Sequence, residues 1–518
     1  MLSEKNYYIT TPIYYVNDKP HTGHAYTTIA CDVIARFKRL DGFTVKFLTG
    51  TDEHGQKVAK AADEQGISPQ KFTDNVSKSF IKLTETLTIT NDDFIRTTED
   101  RHKKACQFFW EKILNSSAPD GKSWIILDKY KGWYSFRDEA YHTEDELVLN
   151  DKGEKCAPNG NKVEWVEEDS YFFRLSAAED SLLDYYNQNP DFIGPNSRRN
   201  EIISFVKSGL KDISISRTNF NWGVPVPNDD KHVMYVWIDA LANYLTGANY
   251  PEINHSLFKS FWPADLHIIG KDIIRFHCIY WPAFLMAAEL PLPKRIFAHG
   301  WWTIEGQKMS KSLGNAIDPN ALVDEFGLDQ LRYFLLKEVT FGNDGDFSKQ
   351  ALMHRSNSEL ANEFGNLVQR VLSMIFKNCD SKIPKFQNLT KDDLEIIEKS
   401  KSLVNNIRPL IDKQAFNDSL EKIWVIVRTA NAYIDKQAPW ELKKKSPERM
   451  ETVLYTLSKI IYNLAIIMQP FTPIGSNKIL SQLNVPEKSR DFSFIDSDSH
   501  ITPGLLINKP EPVFEKFE

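Results

Sequence analysis

The chain has 518 residues and a mass of 59.7 kDa, enough at about 100–200 residues per domain for roughly three domains with real cores, which excludes a peptide hormone or a disulfide mini-scaffold. Its composition, 42% apolar, 26% charged and 12% aromatic, is neither low-complexity nor disordered. The 63 basic and 70 acidic residues give a net charge of −7, so any surface for a polyanion must be a local patch.

Met1 to Asn6 carries charge but no apolar run follows it, so no export signal is expected. The next residues change period twice. β-Branched and aromatic residues run from Tyr7 to Val16, Ile29, Val33, Ile34 and Phe37 fall at helical spacing, and a second apolar run covers Val45 to Thr49. Strand, helix, strand implies a parallel sheet with a right-handed crossover, whose ligands bind beyond the carboxyl ends of the strands. Residues 1–114 are thus expected to form the first half of a Rossmann-like α/β catalytic domain.

Just past the first strand stands His21-Thr22-Gly23-His24, leading into the helix. Imidazoles at a helix N-terminus, with glycine allowing close backbone approach, suit a polyphosphate. Two histidines three apart are as readily metal ligands or surface residues. Asp52 follows the second strand and could pair with a substrate ammonium, or simply cap a helix.

From 115 to 223 short strands, Gly and Asn turns and charged pieces predict an inserted domain. The α/β alternation resumes over 224–325 with Val233 to Ile238, Leu266 to Ile269, an apolar helix through Ala288, and Arg295 to His299. Trp237, Ala240, Tyr244, Ile273, His277 and Trp281, with Ile13 and Tyr15 from the first half, are aromatic or apolar side chains in these segments. His277 and Trp281, four apart, would share a helix face; singly, each of these residues reads more readily as core. Beyond the strand ending near His299, Lys308-Met309-Ser310-Lys311-Ser312 puts two ammonium groups on a loop, a solvated charge run or a mobile clamp on phosphate charge. A linking stem is expected over 326–348, and from 349 to 518 strand signals vanish in favour of helical stripes such as Leu420, Ile423, Trp424, Val427 and Ile434. The apolar stretch Val453 to Met468 is interrupted by Ser458, Lys459 and Asn463, so no membrane span is expected.

His21-Thr22-Gly23-His24 with Lys308-Met309-Ser310-Lys311-Ser312 resembles the class I aminoacyl-tRNA synthetases. The segments Thr11 to Asn17, Thr49 to Gly55, Val236 to Ala240 and Gly270 to Trp281 are similar to the methionyl-tRNA synthetase family, and the similarity covers essentially the whole chain. The resemblance implies that L-methionine is activated by ATP, with Mg²⁺, to methionyl-adenylate and then passed to the 3′ end of tRNA(Met). It implies that His21, Gly23 and His24 meet ATP, that Lys308 and Lys311 steady the pyrophosphate side, that Ile13, Tyr15, Trp237, Ala240, Tyr244, Ile273, His277 and Trp281 form an aromatic-rich pocket suited to the thioether, since sulfur packs well at ring edges, and that no covalent enzyme intermediate forms. In the tail, Asn362 to Arg370 and Ala438-Pro439-Trp440 resemble the family's anticodon-reading elements. Asn366 and Arg370 at i,i+4 could bond splayed bases, Trp440 beside Pro439 could stack on one, and Lys443, Lys444 and Lys445 supply local positive charge. By spacing alone Trp440 reads more readily as a core residue.

One departure from the family is visible. The five cysteines include no CxxC pair, and where zinc-knuckle pairs would fall the chain has Ser135 with Asp138 and Cys156 with Asn159, so no structural zinc is expected. Unpaired thiols suit a cytoplasmic setting. With no added oligomerisation module after the bundle, a monomer is expected. Two other readings have specific objections: a small-molecule nucleotidylyltransferase would not need the helical tail, and the leucine, isoleucine and valine enzymes carry a larger editing insertion than 115–223.

Overall fold

The computed structural model describes residues 5–16, 19–135, 137, 140–142, 144–304, 307–308, 317–495 and 500–518. The first half runs β1 (Asn6–Thr10), β2 (Tyr14–Tyr15), α1 (Thr22–Leu40), β3 (Thr44–Asp52), α2 (Gln56–Glu64), α3 (Pro69–Thr86), β4 (Asp93–Arg96) and α4 (Asp100–Leu114). These strands join Leu266–Gly270, Ile296–His299 and Ile193–Gly194 in one seven-stranded, all-parallel sheet. Its middle runs Ile296–His299, Leu266–Gly270, β1, β3.

Adjacent residues of the central strands go to opposite faces, as the two-residue period of a strand demands. Ile9, Phe47, Ile268 and Phe297 pack on the α1 side, whereas Tyr8, Leu48, Ile269 and Ile296 pack on the side of α4 and the helix Val236–Gly247. Apolar residues on both faces explain why these strands read as nearly unbroken apolar runs.

Between the halves lies a small antiparallel sheet in the order Ile213–Ser214, Glu164–Phe173, Ile125–Ser135, Ala140–His142. The insertion expected over 115–223 is not wholly separate, because Ile193–Gly194 inside that range pairs in parallel with Ile296 and Phe297 of the main sheet. A two-residue strand has no periodicity to read. Of the four zinc-knuckle positions, Asp138 lies outside the described residues. Ser135 and Cys156 are buried, and a single thiolate beside Ser135 and Asn159 does not fit a Cys₄ site.

The tail is a helical bundle built on Asn366–Asn378, Lys391–Asp412, Phe416–Gln437 and Pro447–Met468. Pro447–Met468 is long and apolar enough to cross a bilayer, but 94% of its apolar window is buried inside the protein, as in a bundle's core helix. The apolar cluster beneath α1 continues without a break into this bundle. Where they meet, fully buried Arg332 donates to Asp32 of α1 at 2.7 Å, to the Pro470 carbonyl at 2.7 Å and to the Leu87 carbonyl at 3.4 Å. Burial alone would raise the Asp32 pKa, but the Arg332 and Arg36 guanidinium groups hold it below the ordinary value. Near the end of α1, Lys38 pairs with Asp412 at 2.6 Å, and Asp41 just beyond it pairs with Arg408 at 2.8 Å, both partners on Lys391–Asp412.

Candidate active site

A cavity of about 460 Å³ opens beyond the carboxyl ends of the parallel strands. The parallel-sheet rule placed ligands here. Around it the structure gathers Ile13, Tyr15, His21, Gly23, His24, Asp52, Trp237, Ala240, Tyr244, Ile273 and His277.

His21 is the N-cap of α1, and its Nδ1 accepts from the Gly23 N–H at 3.1 Å. His24, at the third helical position, accepts from the His21 N–H at 3.1 Å through its own Nδ1. Two histidines thus form a capping box, a role usually played by Ser or Thr with Glu. With both Nδ1 atoms accepting, the proton of each neutral imidazole sits on Nε2, so the pair presents N–H donors and not lone pairs. The rings lie 3.8 Å apart. Gly23 is required by this packing, since a Cβ there would lie 2.9 Å from Cε1 of His21.

Asp52 ends β3, pairs in register with Tyr15 and is 9% exposed. Across the cavity, His277 donates from Nδ1 to the Ile273 carbonyl at 3.0 Å and accepts at Nε2 from the Tyr244 hydroxyl at 2.7 Å. Burial pushes the His277 pKa down to about 4 and raises that of Tyr244, so both are neutral near pH 7. The wall facing Asp52 is therefore aromatic and uncharged. Trp237 stacks on Phe276 at 3.7 Å and completes it.

Trp281 departs from expectation. It is fully buried behind Tyr244, ring centroids 5.8 Å apart, among Phe109 and Trp262, and does not line the cavity. His277 and Trp281 do share a face, each ring centroid 5.8 Å from that of Tyr244, but Trp281 lies one turn further along and is fully enclosed by the core. Lys308 falls in the two-residue strand Gln307–Lys308, paired with Trp302–Ile304, and Lys311 lies outside the described residues.

Other lining residues were not among those expected at the site from the sequence, although Asp272 lies in the segment Gly270 to Trp281. Lys57 has its ammonium 5.7 Å from the Tyr15 ring, and Asp272 accepts from Trp301 Nε1 at 3.1 Å. Asp272 and Trp301 follow the strands ending at Gly270 and His299, so the strand-end rule was the available signal.

In the tail, Asn366 is exposed and opens the helix Asn366–Asn378, with Arg370 one turn on. The Arg370 guanidinium lies 5.3 Å from the Trp440 ring and bonds Asp435 at 2.7 Å. Pro439 is buried at the start of Pro439–Lys445, whereas Trp440 is 45% exposed, which is not the burial of a core tryptophan. Lys443, Lys444 and Lys445 are exposed beside it.

Residues 7–372 match the family described as tRNA synthetases class I (M), and residues 383–518 match the anticodon binding domain of methionyl tRNA ligase. The methionine–tRNA ligase of Rickettsia felis is 55% identical over 518 residues, and that of Rickettsia conorii is 56% identical over 515, each alignment covering 99% of both chains. The Mycobacterium tuberculosis methionyl-tRNA synthetase in complex with methionyl-adenylate superposes with a TM-score of 0.94 at 48% identity, covering 99% of this chain and all of the other.

Proposed function

The chain belongs to the methionyl family of class I tRNA synthetases, and from that premise we propose how its own residues perform methionine activation and transfer. Its activity is that of a methionine–tRNA ligase, in which ATP and L-methionine give methionyl-adenylate and pyrophosphate, and methionine then passes to the 3′ end of tRNA(Met). The observation that carries the residue roles is the polarity of one cavity, with the Asp52 carboxylate on one wall, the neutral Tyr244–His277 pair on another, and the His21–His24 cap at its mouth.

Asp52 takes the methionine ammonium in a charge-assisted bond, and Ile13, Tyr15, Trp237, Ala240, Tyr244, Ile273 and His277 surround the thioether. Trp281 supports that wall from behind Tyr244. The methionine carboxylate attacks the α-phosphorus as the bond to pyrophosphate breaks. His21 and His24 donate from Nε2 to phosphate oxygens over Gly23, and Lys308 and Lys311 neutralise the departing charge. Mg²⁺ arrives with ATP as part of the substrate. The anticodon is read by Asn366, Arg370 and Trp440, with Pro439 setting the turn that exposes the indole.

This reading divides the chain into catalytic halves at 1–114 and 224–325, an insertion at 115–223, a stem at 326–348 and the anticodon-binding bundle at 349–518. It takes the protein as a cytoplasmic monomer without structural zinc and without a membrane partner. ATP–pyrophosphate exchange across the twenty amino acids tests the chemistry: exchange dependent on methionine alone is expected, and equal exchange with leucine would refute the pocket assignment. Elemental analysis tests the metal, since one zinc per chain would show that ligands outside Ser135, Cys156 and Asn159 complete a knuckle.

A further inference from the structure

Two of the motifs that identify the family contain residues with no role in the reaction above, His54 within Thr49 to Gly55 and Asp239 within Val236 to Ala240. The fold brings them together. Asp239, with no solvent exposure, accepts from His54 Nδ1 at 2.7 Å through one oxygen and from His102 Nε2 at 2.8 Å through the other. His102, on α4, reaches Thr246 Oγ1 at 3.0 Å with its second nitrogen, and Cys106 Sγ lies 3.2 Å from His102 Nε2. All five side chains are at most 3% exposed.

A buried carboxylate without partners is costly, so it persists where its bonds fix something. Burial acts to raise the Asp239 pKa, and the two imidazoles hold it far below the ordinary carboxylate range, so it stays ionised. What it fixes follows from the chain. His54 is two residues beyond Asp52, on the wall proposed to hold the ammonium. Asp239 lies in the first turn of Val236–Gly247, between Trp237 and Ala240 and five residues before Tyr244, on the wall proposed to hold the thioether. One carboxylate therefore ties the two walls together, with α4 bracing it from behind.

We propose that Asp239 is a positioning residue for methionine, setting through His54 the separation between Asp52 and the aromatic wall. The inference rests on reading the cavity as the methionine site. It adds that methionine recognition needs a fixed span between charge and thioether, maintained by groups that never touch the substrate. The nucleotide side is held separately, by the cap at the start of α1.

The test is steady-state ATP–pyrophosphate exchange by the full-length protein. Asp239→Asn places an amide N–H₂ against one imidazole donor, and His54→Gln removes the link between the walls. In each, the KM for methionine should rise about tenfold to a hundredfold, the scale of a small misplacement, while the KM for ATP stays within about twofold. The double variant should be no worse than the poorer single one, because both break the same bond. An unchanged methionine KM in a folded variant, methionine and ATP KM values rising together, or additive effects would each overturn the proposal. Should Asp239→Asn fail to fold, the His54→Gln methionine KM decides alone. If the cavity reading itself were wrong, the wild type would show no methionine-dependent exchange, an outcome distinct from normal wild-type exchange with indifferent variants.

Discussion

The cavity at the edge of the sheet and the Arg370–Trp440 surface of the tail hold their polar groups under opposite conditions. In the cavity Asp52 is 9% exposed and Tyr244 and His277 about 1%, so these three groups have been largely taken from water before a substrate arrives. On the tail, Trp440 keeps 45% of its surface and Arg370 has already formed a bond to Asp435. Burial makes each bond in the cavity worth more and each loss more costly. Exposure makes the tail's contacts modest, additive and sensitive to salt. The expected effects of substitution rank accordingly.

The most severe should be Asp52→Asn, which leaves the methionine ammonium without a charge partner in a low-dielectric site at a cost of about 3–5 kcal/mol. Isothermal titration checks it, and unchanged methionine affinity would remove Asp52 from the ammonium site and leave it a strand-end residue, since Gly55 is the N-cap of α2. Lys311→Ala should slow adenylate formation by roughly two to three orders of magnitude and leave methionine affinity nearly unchanged, because a cation acting on developing charge affects rate and not ground-state binding. Rapid-quench measurement of adenylate formation reads this directly, and a near-normal rate would remove the clamp. Trp440→Ala should impair tRNA charging by roughly 10–100-fold, the equivalent of about 1–3 kcal/mol of base stacking, with ATP–pyrophosphate exchange intact. A fall in melting temperature with normal charging would return Trp440 to the core.

Acid acts on stability and not on the reaction. His277 titrates near 4 in the folded chain against about 6.5 in an unfolded one. Between those values the unfolded chain binds the proton first, so stability falls as pH falls through that window, by up to about 1.4 kcal/mol per pH unit. Burial lowers His267 and His299 in the same sense, and the tail's two histidines, His354 and His500, are not among the buried residues. Melting curves at pH 7, 6 and 5 should show the loss, and His277→Asn should flatten part of it.

Much of this was legible in the residues. His21, Gly23 and His24 stood out because they follow a strand and open a helix, and the pocket set because its segments resemble those of the methionyl-tRNA synthetase family. Trp281 shares the face of His277 as its spacing implied, but its full burial is a matter of depth, which spacing does not show. Lys57, in the first turn of α2, and Trp301, two residues past a strand, escaped notice because neither belongs to a recurring pattern. The Asp239 bridge was invisible for a different reason: His54 is 185 positions away, and only tertiary structure reveals that two motifs share one carboxylate.

The pinning of α1 makes that helix a lever. Asp32 is its fulcrum, held by Arg332 against the bundle, and the salt bridges to Asp412 and Arg408 fix its far end to the same helix of the tail. From Asp32 back to Thr22 is ten residues, an arm of roughly 15 Å. A tilt of only about 2° about that point displaces the imidazole end by roughly 0.5 Å, about the tolerance within which catalytic groups must be held. The angular stiffness of this joint therefore sets how steadily His21 and His24 are aimed, although no atom of the joint lines the cavity.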